Sequence, residues 1–213
     1  MRPLPRLHAI TDGRVLRLAD CGVRAAAIAS VGPAVALHVR DRTATGAMLA
    51  ASARRFAALA APPEASVAVN ARADVAAAVP AQGLQLGADD LAPADARRVL
   101  GAGWHGWIGR SVHSADEARA ALDEGADLLL VGTIYASASH PGRAGAGPAL
   151  VERCAALGAP VVAIGGVTPE RAPELHAAGA WGVAAIGALW DARDPARAAL
   201  ALLAPWLNEG ANA

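Results

Sequence analysis

His38, Arg40 and Arg42 occupy alternate positions in the segment His38-Val39-Arg40-Asp41-Arg42. On a strand that spacing puts all three side chains on one face. Three cationic or potentially cationic groups on an inward face are costly unless anions meet them, so the cluster points to a negatively charged ligand. A second signal lies later in the chain, in Gly165-Gly166 and Ile186-Gly187. Glycine lets backbone N–H groups come close to phosphate oxygens, so these pairs predict a phosphate cradle. His113 follows Arg110-Ser111, and an imidazole that titrates near neutrality suits a proton shuttle. Asp12 and Asp90 read equally well as helix caps, Asp90 for a helix opening at Pro93.

Composition removes several chemistries. All 19 basic residues are arginine, so Schiff-base catalysis and a Walker-type phosphate loop, which need lysine, are excluded. Acidic residues also number 19, and a chain without basic excess is not expected to bind nucleic acid. Cys21 and Cys154 lack neighbours at metal-ligand spacing and read as buried small hydrophobes. No uninterrupted apolar run reaches membrane-spanning length, which leads to the expectation of a cytoplasmic protein with no membrane partner.

The elements that must hold these residues can be picked out despite the abundance of alanine. Clusters of Val, Ile and Leu flanked by Gly or Pro predict strands at Leu7–Thr11, Ala34–Val39, Ser66–Val69, Gly83–Leu86, Gly106–Ser111, Leu128–Gly132, Pro160–Ile164 and Gly182–Ile186. Between some of them lie amphipathic stretches, Thr43–Leu59, Pro93–Leu100, Ala115–Leu122 and Pro169–Ala177. Strands such as Pro160–Ile164 are apolar on both faces, as buried parallel strands are. The repeat predicts an α/β chain folded as a single (β/α)8 TIM barrel, one domain over 1–213 with its core at about 7–207. An open doubly wound sheet is disfavoured because no G-x-G-x-x-G follows the first strand.

In such a barrel the active site lies at the C-terminal strand ends, which here carry Asp12, then His38, Arg40 and Arg42, then Asn70 and Arg72. They continue with Asp89 and Asp90, with Arg110, Ser111 and His113, and with Thr133 and Tyr135. Gly165-Gly166 and Ile186-Gly187 complete the ring. Ser137–Gly147 lacks apolar periodicity and is expected to form an active-site loop.

Four motifs, Leu7-His8-Ala9-Ile10-Thr11-Asp12, His38-Val39-Arg40-Asp41-Arg42, Gly109-Arg110-Ser111-Val112-His113-Ser114 and Val162-Ala163-Ile164-Gly165-Gly166-Val167-Thr168-Pro169, resemble the thiamine-phosphate synthase superfamily. Within it they look more like the thiazole tautomerase branch. The synthase pattern has Gln-Leu-Arg-x-Lys at strand two, Asn-Asp-Arg after strand three and Thr-Lys after strand six. Here His38, Arg42, Ala71 and Ser139-His140 depart from it, while Gly87-Ala88-Asp89-Asp90-Leu91 looks synthase-like.

The tautomerase resemblance implies an isomerase that converts a carboxylated dihydrothiazole phosphate into its aromatic thiazole without metal or other cofactor. His113 would shuttle the proton, Arg40 and Arg42 would pair with the carboxylate, and His38, Asn70, Arg72, Ser111 and Thr133 would contact the substrate. Gly165, Gly166, Ile186 and Gly187 would hold the phosphate, and family resemblance implies a homodimer. The alternatives are a thiamine-phosphate synthase that joins a pyrimidine diphosphate to a thiazole phosphate with Mg2+ on Asp90, another phosphate-binding barrel isomerase, and a non-catalytic regulatory homologue.

Overall fold

The structure, a computed structural model, describes residues 4–61, 64–136 and 144–207. Its first half runs β1 (Leu7–Ile10), α1 (Gly13–Leu16), α2 (Cys21–Ala29), β2 (Val35–Val39), α3 (Gly46–Ala60), β3 (Ser66–Asn70), α4 (Ala73–Ala78), β4 (Gly83–Leu86) and α5 (Pro93–Leu100). The second half runs β5 (Trp107–Val112), α6 (Ala115–Asp123), β6 (Leu128–Val131), α7 (Pro148–Ala155), β7 (Val161–Ile164), α8 (Ala172–Ala177), β8 (Gly182–Ala185), α9 (Gly187–Trp190) and α10 (Pro195–Leu207).

All neighbouring strands pair in parallel and β1 closes on β8, so the sheet is the expected eight-stranded barrel. The predicted strands all form, with no end shifted by more than one residue; β5 starts one residue late, at Trp107. The first turn of α3 is capped by Thr45, whose hydroxyl accepts from the Met48 amide at 3.3 Å, and α6 is capped by Ser114 in the same way. Both cysteines are buried. No helix among the described residues is long and apolar enough to cross a membrane.

Strand alternation divides the core in two. Leu7, Leu37, Val67, Leu84, Ile108, Leu129, Val161 and Val183 face the helices, whereas Ile10, Ala36, Ala68, Trp107, Leu128, Leu130, Val162 and Ala184 fill the barrel interior. The interior is apolar on the β6–β8 side. Across β1–β5 it carries the buried polar groups His8, His38 and Gln85, with Asn70 at the rim. Glycine makes room on this side: a Cβ on Gly109 would stand 2.2 Å from Gln85 Oε1, and one on Gly83 would stand 2.2 Å from the Trp107 ring that packs on both histidines. Gly83→Ala is therefore expected to cost about 2 kcal/mol and lower Tm by roughly 4–8 °C, measured by calorimetry.

Candidate active site

The mouth of the barrel is pinned at β1 and β2 by Thr11, a buried residue that follows β1. Its hydroxyl donates to the His38 carbonyl at 2.9 Å and accepts from the Arg40 amide at 2.9 Å. Arg40 is thereby fixed at the rim, half-buried. Its guanidinium makes no hydrogen bond or ion pair with a described residue, while Asp12, Asp41 and Asp90 favour its charge from nearby. Burial, and then the like charge of Arg42, push its pKa down from the ordinary guanidinium value. A guanidinium is a planar fork of donors that matches the oxygens of a carboxylate or phosphate.

The expected row of three cations does not form. Arg42 lies beyond the end of β2 and is exposed. His38 is wholly buried one step deeper, where burial holds its imidazole down at about 4, so it is neutral at neutral pH. Its ring contacts other protein groups, 2.9 Å to His8 Nδ1 and 3.0 Å to the Asn70 side chain, rather than the open mouth.

Asn70 ends β3, half-buried at the rim, and is followed by Ala71 in a left-handed conformation at φ 67°. Arg72, read from the sequence as a substrate contact, is exposed and held by Asp74 through a 2.8 Å bond from Nε and a 2.5 Å bond from Nη2. After β4, Asp90 accepts from the Gly87 amide at 2.6 Å and so closes a turn. It does not cap α5, whose N-cap is Ala92 without a side-chain bond, whereas Asp12 does cap α1 by accepting from Val15 at 2.8 Å. Arg110 spans the same loop, donating to the carbonyls of Ala88 at 3.0 Å and Leu91 at 2.9 Å. Sequence reasoning placed Arg110 at the rim but gave it no task; here it holds the loop that presents Asp90.

Ser111 accepts from Gln85 Nε2 at 3.1 Å. His113 is exposed just past β5, its amide donating to Glu117 at 2.7 Å. Its Nδ1 lies against the Gly132 carbonyl, a group that only accepts, so Nδ1 carries the proton and Nε2 is the basic atom.

On the opposite rim Gly165 and Gly166 adopt φ of 101° and 62°. A Cβ on Gly165 would sit 2.5 Å from Thr133 Cγ2, and one on Gly166 would sit 2.6 Å from the Ala136 carbonyl, so both positions need glycine. Thr133 itself is half-buried against this loop. Arg171 braces the loop, donating to the Gly166 carbonyl at 2.6 Å and stacking 4.4 Å over Tyr135. Burial and then Glu174, which accepts from it at 2.6 Å, raise the Tyr135 phenol to about 12. Ile186 caps α9, which opens at Gly187. The amides of Gly166 and Gly187 donate to no described acceptor. Residues 137–143 of the expected active-site loop, with Ser139 and His140, lie outside the described residues.

Among the described residues no group of three or more His, Cys, Asp or Glu side chains could hold a metal ion. A magnesium ion is commonly held by one or two carboxylates with substrate phosphates and water. Asp90 fits the one-carboxylate form, because Gly87 engages a single carboxylate oxygen.

Residues 7–189 match the model of the thiamine monophosphate synthase family. The chain is 42% identical over 208 residues to a thiamine-phosphate synthase of Salinispora arenicola, covering 95% of this chain and 98% of that one. It is 39% identical over 187 residues to one from Marinobacter nauticus, covering 87% and 83%. Among solved structures, a thiamine phosphate pyrophosphorylase of Pyrococcus furiosus superposes with a TM-score of 0.79 at 28% identity over 94% of both chains. A 3-hexulose-6-phosphate synthase, TM-score 0.69 and 19% identical, shares the fold alone. The Salinispora and Marinobacter relatives are named thiamine-phosphate synthases and the Pyrococcus structure a thiamine phosphate pyrophosphorylase, so the reading as an isomerising thiazole tautomerase is overturned. The motifs behind that reading mark the shared barrel and rim, and do not fix which bond is made there. A match of this extent over one closed barrel makes the chain a member of the thiamine monophosphate synthase family.

Proposed function

We propose that this barrel joins a pyrimidine diphosphate to a thiazole phosphate and releases diphosphate. The observation that carries the reading is the half-buried guanidinium of Arg40, unpaired among the described residues, facing a mouth whose other rim carries glycine amides. Two anionic groups can be held at once, the diphosphate by Arg40 and the single phosphate by Gly166 and Gly187. As the bond from the pyrimidine-bearing carbon to diphosphate oxygen breaks, its electron pair leaves with the diphosphate. Arg40 neutralises the charge that grows there, and the thiazole nitrogen takes the vacated position. No proton has to move in that step, so the reading does not require His113 as an acid or base.

Asp90 would hold a magnesium ion, whose chemistry when bound is to draw charge from the leaving diphosphate. Arg110 keeps the Asp90 loop in place. The expectation of a cofactor-free reaction therefore gives way to one that uses magnesium.

The test is to supply both half-substrates with magnesium and to measure diphosphate. Release only when both are present is the expected result, and its absence overturns the reading. Gly166→Ala is expected to raise KM for the thiazole phosphate about tenfold with a smaller change in kcat, because a methyl there forces the cradle from the Ala136 carbonyl.

A further inference from the structure

A file of buried polar groups runs up the barrel interior from its closed end to its mouth. His8 Nε2 lies 3.2 Å from the Pro5 carbonyl, His8 Nδ1 lies 2.9 Å from His38 Nε2, and His38 Nδ1 lies 3.0 Å from Asn70 Oδ1. Both histidines are fully buried, and the Trp107 ring packs on each, with centroids 5.4 Å and 5.8 Å away.

The protons in this file can be counted. Two neutral imidazoles carry two ring protons, but three contacts ending on a carbonyl at each side need three. With the Asn70 oxygen turned inward, one contact must therefore set lone pair against lone pair, or one histidine must become a cation in an apolar interior. Neither the His8 nor the His38 ring has a carboxylate partner that would support such a cation. The Pro5 end cannot change, since a carbonyl only accepts, and it already accepts from Trp181 Nε1 at 3.2 Å. The Asn70 end can change, because half a turn of its amide replaces an acceptor with a donor. All three contacts then hold a proton without net charge: Asn70 Nδ2 donates to His38 Nδ1, His38 Nε2 to His8 Nδ1, and His8 Nε2 to Pro5.

We propose that His8 and His38 are positioning residues that fix the Asn70 amide with Oδ1 toward the mouth, so that the site selects a ligand ring bearing a hydrogen-bond donor there. Asn70 sits at the rim, and its second amide atom meets no described partner, so it is left for the ligand. Identifying that ligand as an amino-substituted pyrimidine diphosphate rests on the proposed function; the ordering of the file does not.

The experiment has two arms. In histidine-15N-labelled wild-type protein at neutral pH, long-range 1H–15N spectra are expected to show His8 and His38 both neutral and protonated on Nε2, with His38→Gln used for assignment. A proton on Nδ1 of either ring overturns the proposal. In the second arm, binding of an aminopyrimidine diphosphate is compared with that of its oxo counterpart by calorimetry. Wild type is expected to prefer the amino probe about tenfold, as one directed hydrogen bond allows. His38→Gln, whose amide can donate toward His8 and accept from Asn70, is expected to keep the preference, while His38→Leu loses it. A His38→Leu protein that keeps the full preference overturns the proposal. If wild type binds neither probe, the proposed substrate fails, and the tautomer measurement alone still decides the file.

Discussion

Replacing Arg40 with alanine is expected to lower kcat/KM for the coupling about a thousandfold, roughly 4 kcal/mol of transition-state stabilisation. Arg40 is half-buried, with its backbone held by Thr11, so its charge acts where water screens poorly when the substrate's bond breaks. Because charge on the diphosphate is greatest as it leaves, kcat should fall more than KM rises. Arg40→Lys keeps the charge but loses the two-pronged donor geometry, and an intermediate loss of about a hundredfold is expected. Arg42 is exposed, so Arg42→Ala should change kcat/KM less than tenfold, chiefly through KM. Steady-state diphosphate release over a range of both substrates checks all three. Equal effects of Arg40→Ala and Arg42→Ala would show that burial does not set the strength of this site.

Much of this arrangement is legible in the sequence. Short Val- and Leu-rich strands between Ala-rich helices dictate the parallel barrel, and period-two alternation correctly turns His38 and Arg40 to the same side. What alternation does not carry is depth. Ile10 is the register partner of His38, and the next inward residue of β1 is His8, so His38 meets a second imidazole below the mouth. That contact joins residues 30 apart, and no local pattern announces it. The roles of Arg72 and Asp90 escape for the opposite reason. Each is settled by a neighbour within three residues, Asp74 or Gly87, that competes with the reading from spacing. The branch of chemistry does not follow from the motifs at His38–Arg42 and Gly109–Ser114, because they mark a rim that both reactions can share, and His113 suits a proton shuttle whether or not a proton moves.

The buried histidine pair should also govern how the fold responds to acid. His38 titrates near 4 in the folded chain against 6.5 when exposed, with burial as the main cause, and burial followed by His38 itself lowers His8 in the same direction. Between those values the unfolded chain binds more protons, so stability rises with pH. The contribution is fully present above about pH 6.5 and is lost as pH falls toward 4. For His38 alone that loss is about 2 kcal/mol by pH 5 and about 3 kcal/mol by pH 4. Hydrogen bonds hold the carboxyl groups of Asp41, Asp74 and Glu170 below the ordinary carboxylate range, so their contributions are lost in addition as pH falls through that range and below it. Denaturant unfolding at pH 7 and pH 5 should therefore show a marked drop for wild type and a smaller one for His38→Gln, whatever the absolute stability of the variant. Parallel drops in the two proteins would mean that His38 is already protonated in the fold, which the apolar packing of Trp107 against both rings argues against.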